Sequence, residues 1–252
     1  TLFRSGRRMY SKAADEVTPI ASLTKLMTAM VVLDANPSLD DPMAVDMDDF
    51  DYVKGSRSRL RMGTTLSRGE MLRLALMSSE NRAASTLARY YPGGTPAFVA
   101  AMNTKAVMLG MSKTHFHDDY TMLVPGRTSA YARRASGWLA SGWRVSIPNF
   151  DVYGATSLFT NVEDMAKWVR NFYEHKVGDQ KDMETLTHNG RLNNGKDLSY
   201  ALGIVSNKYK GWRQYTHSGG DAGYRTYLTV FPDLKMGFIV FSNLGDVNPD
   251  RK

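Results

Sequence analysis

The stretch Pro19-Ile-Ala-Ser-Leu-Thr-Lys-Leu-Met-Thr-Ala-Met-Val-Val-Leu-Asp34 constrains this chain more than any other. Its apolar residues Leu23, Leu26, Met27, Met30, Val31 and Leu33 cover more than one stripe, the pattern of a helix buried on most of its sides. With 252 residues, 42% of them hydrophobic and 23% charged, the chain can bury a full core around such a helix without disulfides or a metal. Asn36-Pro37 ends the helix.

Other elements follow from caps and periods. Ser67-Arg-Gly-Glu70 fits a capping box ahead of the apolar run 71–77. Helices are expected over Asn81–Tyr91, stopped by Pro92-Gly93-Gly94, and over Pro96–Leu109, closed by Gly110. Asn161 is the expected cap of an amphipathic helix reaching Phe172. Residues 38–68 read as loops with short strands, and 112–160 as mostly loop. The period then changes. Tyr200–Val205, Gln214–His217, Tyr224–Phe231 and Gly237–Phe241 read as strands of an antiparallel sheet, and the opening residues 1–10 as a hairpin.

The absence of cysteine excludes a disulfide scaffold, a cysteine-based metal site and a cysteine nucleophile. A net charge of +7 suits a solvated surface and also attraction to an anionic partner. Nucleic acid is not expected, since no arginine group is interleaved with aromatic residues. No apolar run reaches the roughly 18 to 20 residues of a membrane span, and the opening residues lack the apolar core of a signal peptide. That start fits a mature or trimmed chain. No dinucleotide or phosphate-binding glycine loop is present, so no cofactor is expected. His115-Phe-His117-Asp118-Asp119 would align His115, His117 and Asp119 on a strand, but no dependable fourth ligand accompanies them, and a metal is not expected.

Three short motifs carry chemistry. Ser22-Leu-Thr-Lys25 places a hydroxyl and an amine on one face of a helix, within reach of each other. A lysine kept from water can have its pKa lowered enough to take the serine proton. Alone the motif is an ordinary helix start; its apolar flanks, an awkward place for an unpaired lysine, give it weight. Ser79-Glu-Asn81 follows an apolar helix, where a cap is the simpler reading and a contact to a lysine and a substrate amide the sharper one. His217-Ser-Gly-Gly220 stands before a strand, where glycines admit a substrate backbone. His188-Asn-Gly190 has the same short pattern but leads into a turn.

In this order, Ser22-x-x-Lys25, Ser79-x-Asn81 and His217-Ser-Gly219 resemble the three signatures of the penicillin-recognising serine enzymes. Residues 10 to about 114 look like D-alanyl-D-alanine endopeptidase penicillin-binding proteins, and residues from about 114 to 245 like the class C β-lactamase and esterase group. The chain thus resembles a composite joined near Leu109–Thr114. It departs from both halves. No Lys-Thr-Gly occurs, and Ser79 stands where the class C group carries a tyrosine. The C-terminal helix usual in these families is also not seen.

The resemblance implies an α+β fold of the DD-peptidase and β-lactamase kind, an antiparallel sheet flanked by helices plus a mostly helical subdomain. Residues 1–21 and 161–252 would form the sheet part and 22–160 the helical part of one catalytic unit. It implies Ser22 as nucleophile, Lys25 as base, Ser79 as proton relay, Asn81 as holder of the substrate amide and His217 on the sheet side. Ser218, Gly219 and Gly220 would bind substrate, and the N–H groups of Ser22 and Gly220 would form an oxyanion hole. A peptidoglycan stem peptide, a small ester or a β-lactam is the implied partner, in the bacterial periplasm or envelope. No Glu-x-x-Leu-Asn signature is present, so slow, inhibitor-like acylation by penicillins is expected. The other reading is a weakly active or non-catalytic module that holds cell-wall peptide or penicillin.

Overall fold

The computed structural model describes residues 1–53, 55–117, 119, 121–134, 142–147 and 152–247. Its elements run β1 (Leu2–Arg4), β2 (Arg7–Tyr10), β3 (Thr18–Pro19), α1 (Thr24–Asp34), β4 (Pro42–Ala44), β5 (Thr65–Ser67), α2 (Arg68–Met77), α3 (Asn81–Arg89) and α4 (Gly94–Met108). Then follow β6 (His115–Phe116), β7 (Tyr131–Arg133), β8 (Trp143–Val145), β9 (Leu158–Thr160), α5 (Val162–Glu174) and α6 (Gln180–Thr187). The last four strands are β10 (Val205–Tyr209), β11 (Trp212–Asp221), β12 (Tyr224–Phe231) and β13 (Met236–Ser242).

The main sheet has the order β10-β11-β12-β13-β1-β2, with every neighbouring pair antiparallel. The opening hairpin therefore joins the sheet beside its last strand, with Leu2 opposite Phe238. The opening hairpin and the last four strands belong to one sheet, and the helices are inserted between them. The fold is α+β, as the resemblance implied.

Helix α5 covers one face. Val162, Met165, Trp168, Val169 and Phe172 are its buried apolar residues, spaced three, three, one and three apart, and Phe172 meets Tyr215 of β11 with ring centroids 5.7 Å apart. Asn161 caps it as expected, its side chain accepting from the Asp164 N–H at 2.8 Å. Helix α1 lies deeper. Residues 24–29, 31 and 32 are all buried, so the multi-stripe pattern is satisfied by α2, α3 and α4 on several sides. The capping box of α2 forms as read, Ser67 with the Glu70 N–H and Glu70 with the Ser67 N–H.

Three regions differ from or add to the sequence reading. Residues 200–204 are not strand; the strand begins at Val205 and runs on to Tyr209. The apolar run Tyr200-Ala-Leu-Gly-Ile204 is instead a buried turn, closed by the Ala201 N–H on the Ile204 carbonyl at 2.7 Å and pressed against Leu26 and Leu76. The second is 112–160, which is mostly loop among its described residues as read but also holds four short strands, two of which join β3 in the three-stranded sheet β3-β9-β6. The third is α6, which sequence patterning missed because none of its residues is buried. No helix among the described residues is long and apolar enough to cross a membrane.

Candidate active site

Ser22 does not open the α-helix itself. It sits in a 3-10 turn, Ala21–Leu23, that feeds α1, and Ala21 before it takes a left-handed φ of 52°. Lys25, in the first turn of α1, is only 3% exposed. Its ammonium donates to Ser22 Oγ at 3.3 Å, Asn81 Oδ1 at 2.9 Å and the Ala155 carbonyl at 3.1 Å. Three acceptors match the three N–H bonds of an ammonium, which is how a buried lysine avoids the cost of an unpaired charge.

The break between α2 and α3 supplies the second wall. Helix α2 stops at Met77, and Ser79 turns the chain with a left-handed φ of 52°. Non-glycine residues held there cost free energy, and the surrounding structure must impose the geometry. It aims Ser79 Oγ at Ser22 Oγ, 3.0 Å away. Asn81, the first residue of α3, faces Lys25 and also donates from Nδ2 to Ser56 Oγ at 3.3 Å.

The third wall was not read from sequence. Residues 154 and 155 thread between α1 and α3, and a Cβ on Gly154 would meet the Ala84 carbonyl at 3.0 Å and Thr28 Cγ2 at 3.2 Å. With φ of 72°, only glycine fits easily here. The Thr28 hydroxyl donates to the Gly154 carbonyl at 2.6 Å, and the next carbonyl is the one Lys25 takes.

Strand β11 closes the site. β10 pairs with it only from Trp212 to Thr216, so His217–Asp221 keep one edge open while β12 holds the other. A pocket of about 230 Å³ lies along this edge, lined by Tyr200, Val205, Thr216, His217, Ser218 and Tyr227. A larger, apolar pocket of about 340 Å³ lies behind α1 between α2, α5 and α6, and none of the motif residues lines it. His217 and Gly219 are buried, whereas Ser218 and Gly220 are exposed. Burial, and then the Lys25 charge, lower the His217 pKa from 6.5 to about 4. The imidazole is therefore neutral near pH 7.

Gly219 has a different neighbour from the substrate backbone expected for it. A Cβ there would meet Thr226 Oγ1 at 2.5 Å and the Ile20 carbonyl at 2.8 Å. This glycine lets β11 press directly on the segment that carries Ser22. Gly219→Ala is expected to destabilise the fold by about 1–3 kcal/mol through overpacking, read as a lower denaturation midpoint at unchanged slope.

The histidine string forms no such cluster. The rings of His115 and His117 lie 4.6 Å apart, but Asp119 accepts from Thr121 instead, and Asp118 lies outside the described residues. Among the described residues no group of three or more His, Cys, Asp or Glu is placed to hold a metal ion.

The family model of D-alanyl-D-alanine carboxypeptidases matches residues 3–168. The chain belongs to that family. The match runs past the change of resemblance expected near 109–114. A D-alanyl-D-alanine endopeptidase of Escherichia coli (strain K12) is 56% identical over 108 residues, covering 43% of this chain and 35% of the relative. The chain thus spans about a third of the length of such curated relatives. Among solved structures, the octameric penicillin-binding protein homologue from Pyrococcus abyssi shares the fold with a TM-score of 0.73 at 16% identity, over 98% of this chain and 69% of that one. A class C β-lactamase from Rhodobacter sphaeroides does so with a TM-score of 0.65 at 13% identity, over 98% of this chain and 89% of that one. The fold of the penicillin-binding and β-lactamase group therefore holds for the family member described here, sheet and helical part together.

Proposed function

We propose that the protein is a serine acyl-transfer hydrolase of the penicillin-binding type, acting on D-Ala-D-Ala-like peptides or small esters. The observation that carries this reading is the convergence on Ser22 Oγ, with Lys25 Nζ at 3.3 Å and Ser79 Oγ at 3.0 Å. With the Lys25 amine neutral, the first contact reverses and the Ser22 O–H donates to Nζ. Ser22 then attacks the substrate carbonyl as its proton passes to Lys25. The N–H groups of Ser22 and Gly220 are the proposed donors to the oxyanion, a role in which fixed dipoles lower the barrier strongly. As the intermediate collapses, the proton moves from Lys25 through Ser79 to the leaving amine or alkoxide. Asn81 holds the substrate amide, and Ser218, exposed on the open strand, meets its polar end. Water then attacks the acyl-enzyme, its proton passing through Lys25 to the departing Ser22 Oγ, which restores the serine hydroxyl and the neutral amine. The family and its bacterial relatives support an envelope location, with peptidoglycan stem peptide as the substrate.

Incubation with labelled penicillin should add one penicilloyl group to the peptide that carries Ser22, seen by mass spectrometry after digestion. Turnover of p-nitrophenyl acetate should accompany it. No adduct at high concentration together with no ester turnover would overturn the reading. Retention on muropeptides without product would instead support the binding-module alternative.

A further inference from the structure

The segment Ser56-Arg-Ser-Arg-Leu-Arg61 borders the site without serving its chemistry. It is neither helix nor strand, yet it is pinned along its length. The Ser56 N–H donates to Asp51 Oδ2 at 3.0 Å, and the Ser56 hydroxyl accepts from Asn81 at 3.3 Å. The Leu60 carbonyl accepts from Arg82 at 2.6 Å, while Leu60 and Met62 pack against the core. Arg57, Arg59 and Arg61 alternate with these anchors and are exposed. Among the described residues none of the three makes an ion pair or a side-chain hydrogen bond.

A cationic row fixed by its backbone and left unpaired is preorganised for anions. It begins one residue from Ser56, which is joined through Asn81 to Lys25. The Arg225 cation of the opposite wall is already engaged. His217 is buried there, and the Arg225 guanidinium beside Gly220 turns back onto the carbonyls of Ala222 and Tyr224. We propose that Arg57, Arg59 and Arg61 form a subsite for the side-chain carboxylates of an acidic peptide whose scissile bond lies at Ser22. The proposal rests on the hydrolase reading above and names the substrate feature that reading leaves open. Ser58 and Leu60 between the arginines supply no ring for base stacking, which favours a peptide over a nucleic acid.

The test compares two labelled peptides, Glu-Glu-Lys-D-Ala-D-Ala and Gln-Gln-Lys-D-Ala-D-Ala, on the full chain and on the triple variant Arg57→Gln, Arg59→Gln, Arg61→Gln. The parent should prefer the acidic peptide in kcat/KM, and the variant should lower that preference about tenfold, the combined scale of three exposed ion pairs. The triple Arg→Lys variant should restore part of it, and added salt should erase it. Capture of labelled penicillin reports that the variant site is assembled. An unaltered preference in a variant that still captures penicillin overturns the subsite. Should the parent cleave neither peptide, the peptidase arm of the hydrolase reading fails instead, and fluorescence anisotropy of the same peptides still reads the subsite. Competition by a dT oligonucleotide as strong as by the acidic peptide overturns the peptide assignment.

Discussion

Lys25→Ala is expected to slow acylation of Ser22 by about 10²–10⁴-fold, the range lost when a positioned general base is removed. Among the described residues no other base is hydrogen-bonded to Ser22 Oγ. His217 is neutral near pH 7, but it titrates near 4 and is therefore a weak base. Ser79, the other partner of Ser22 Oγ, is a second hydroxyl with no base of its own among its hydrogen bonds. Arginine at position 25 should not rescue the rate, because a guanidinium stays protonated and occupies a planar fork where three divergent acceptors are arranged. Stability should move less than rate. Removing the amine leaves Asn81 Oδ1 and the Ala155 carbonyl short of a donor, at about 1–3 kcal/mol for a buried unsatisfied group. It also removes a buried charge whose desolvation opposed folding. The check is the second-order rate of labelled-penicillin capture beside a denaturation curve of the same variant. A rate of the parent's order would mean that Ser22 is activated by something other than the amine 3.3 Å away.

What the sequence made legible is what short range decides. Ser22 and Lys25 lie three apart at a helix start, and the apolar flanks of that helix already demanded burial of the lysine. Ser79 and Asn81 could be placed at a helix junction for the same reason, since the break after Met77 is local. Long-range partners were not legible. Nothing near Ala155 in the chain says that its carbonyl meets an amine 130 residues away; the only local signal is Gly154 in a stretch without periodicity. Ser56 is in the same position, reached from Asn81 across the fold. Helix α6 was legible in principle, because Asp179 and Asp182 make a reciprocal capping box, but without a buried face its hydrophobic pattern is silent. The misplaced strand at 200–204 shows the converse. An apolar run marks burial, and the run alone does not tell a strand from a buried turn.

Acidification should destabilise this protein in part through the buried imidazole of His217. The His217 pKa falls from 6.5 to about 4 on folding, first because the ring is buried and then because Lys25 repels a second charge. Above pH 6.5 the ring is neutral in folded and unfolded chains alike, and the group has no effect. Between 6.5 and 4 the unfolded chain takes up a proton that the folded chain refuses, so stability falls as pH falls. Below about 4 both forms are protonated, and the loss is complete at about 3 kcal/mol. Carboxylates titrate in the lower part of this window, so the informative quantity is the difference between the parent and His217→Asn. Asparagine keeps a polar side chain on β11 but binds no proton. Denaturation at pH 7.5, 5 and 4 should therefore show the variant losing less stability than the parent on acidification, with most of the difference established by pH 4. Parallel pH profiles for the two proteins would place the imidazole in contact with water, and the buried wall that it gives the Ser22 site would then be absent.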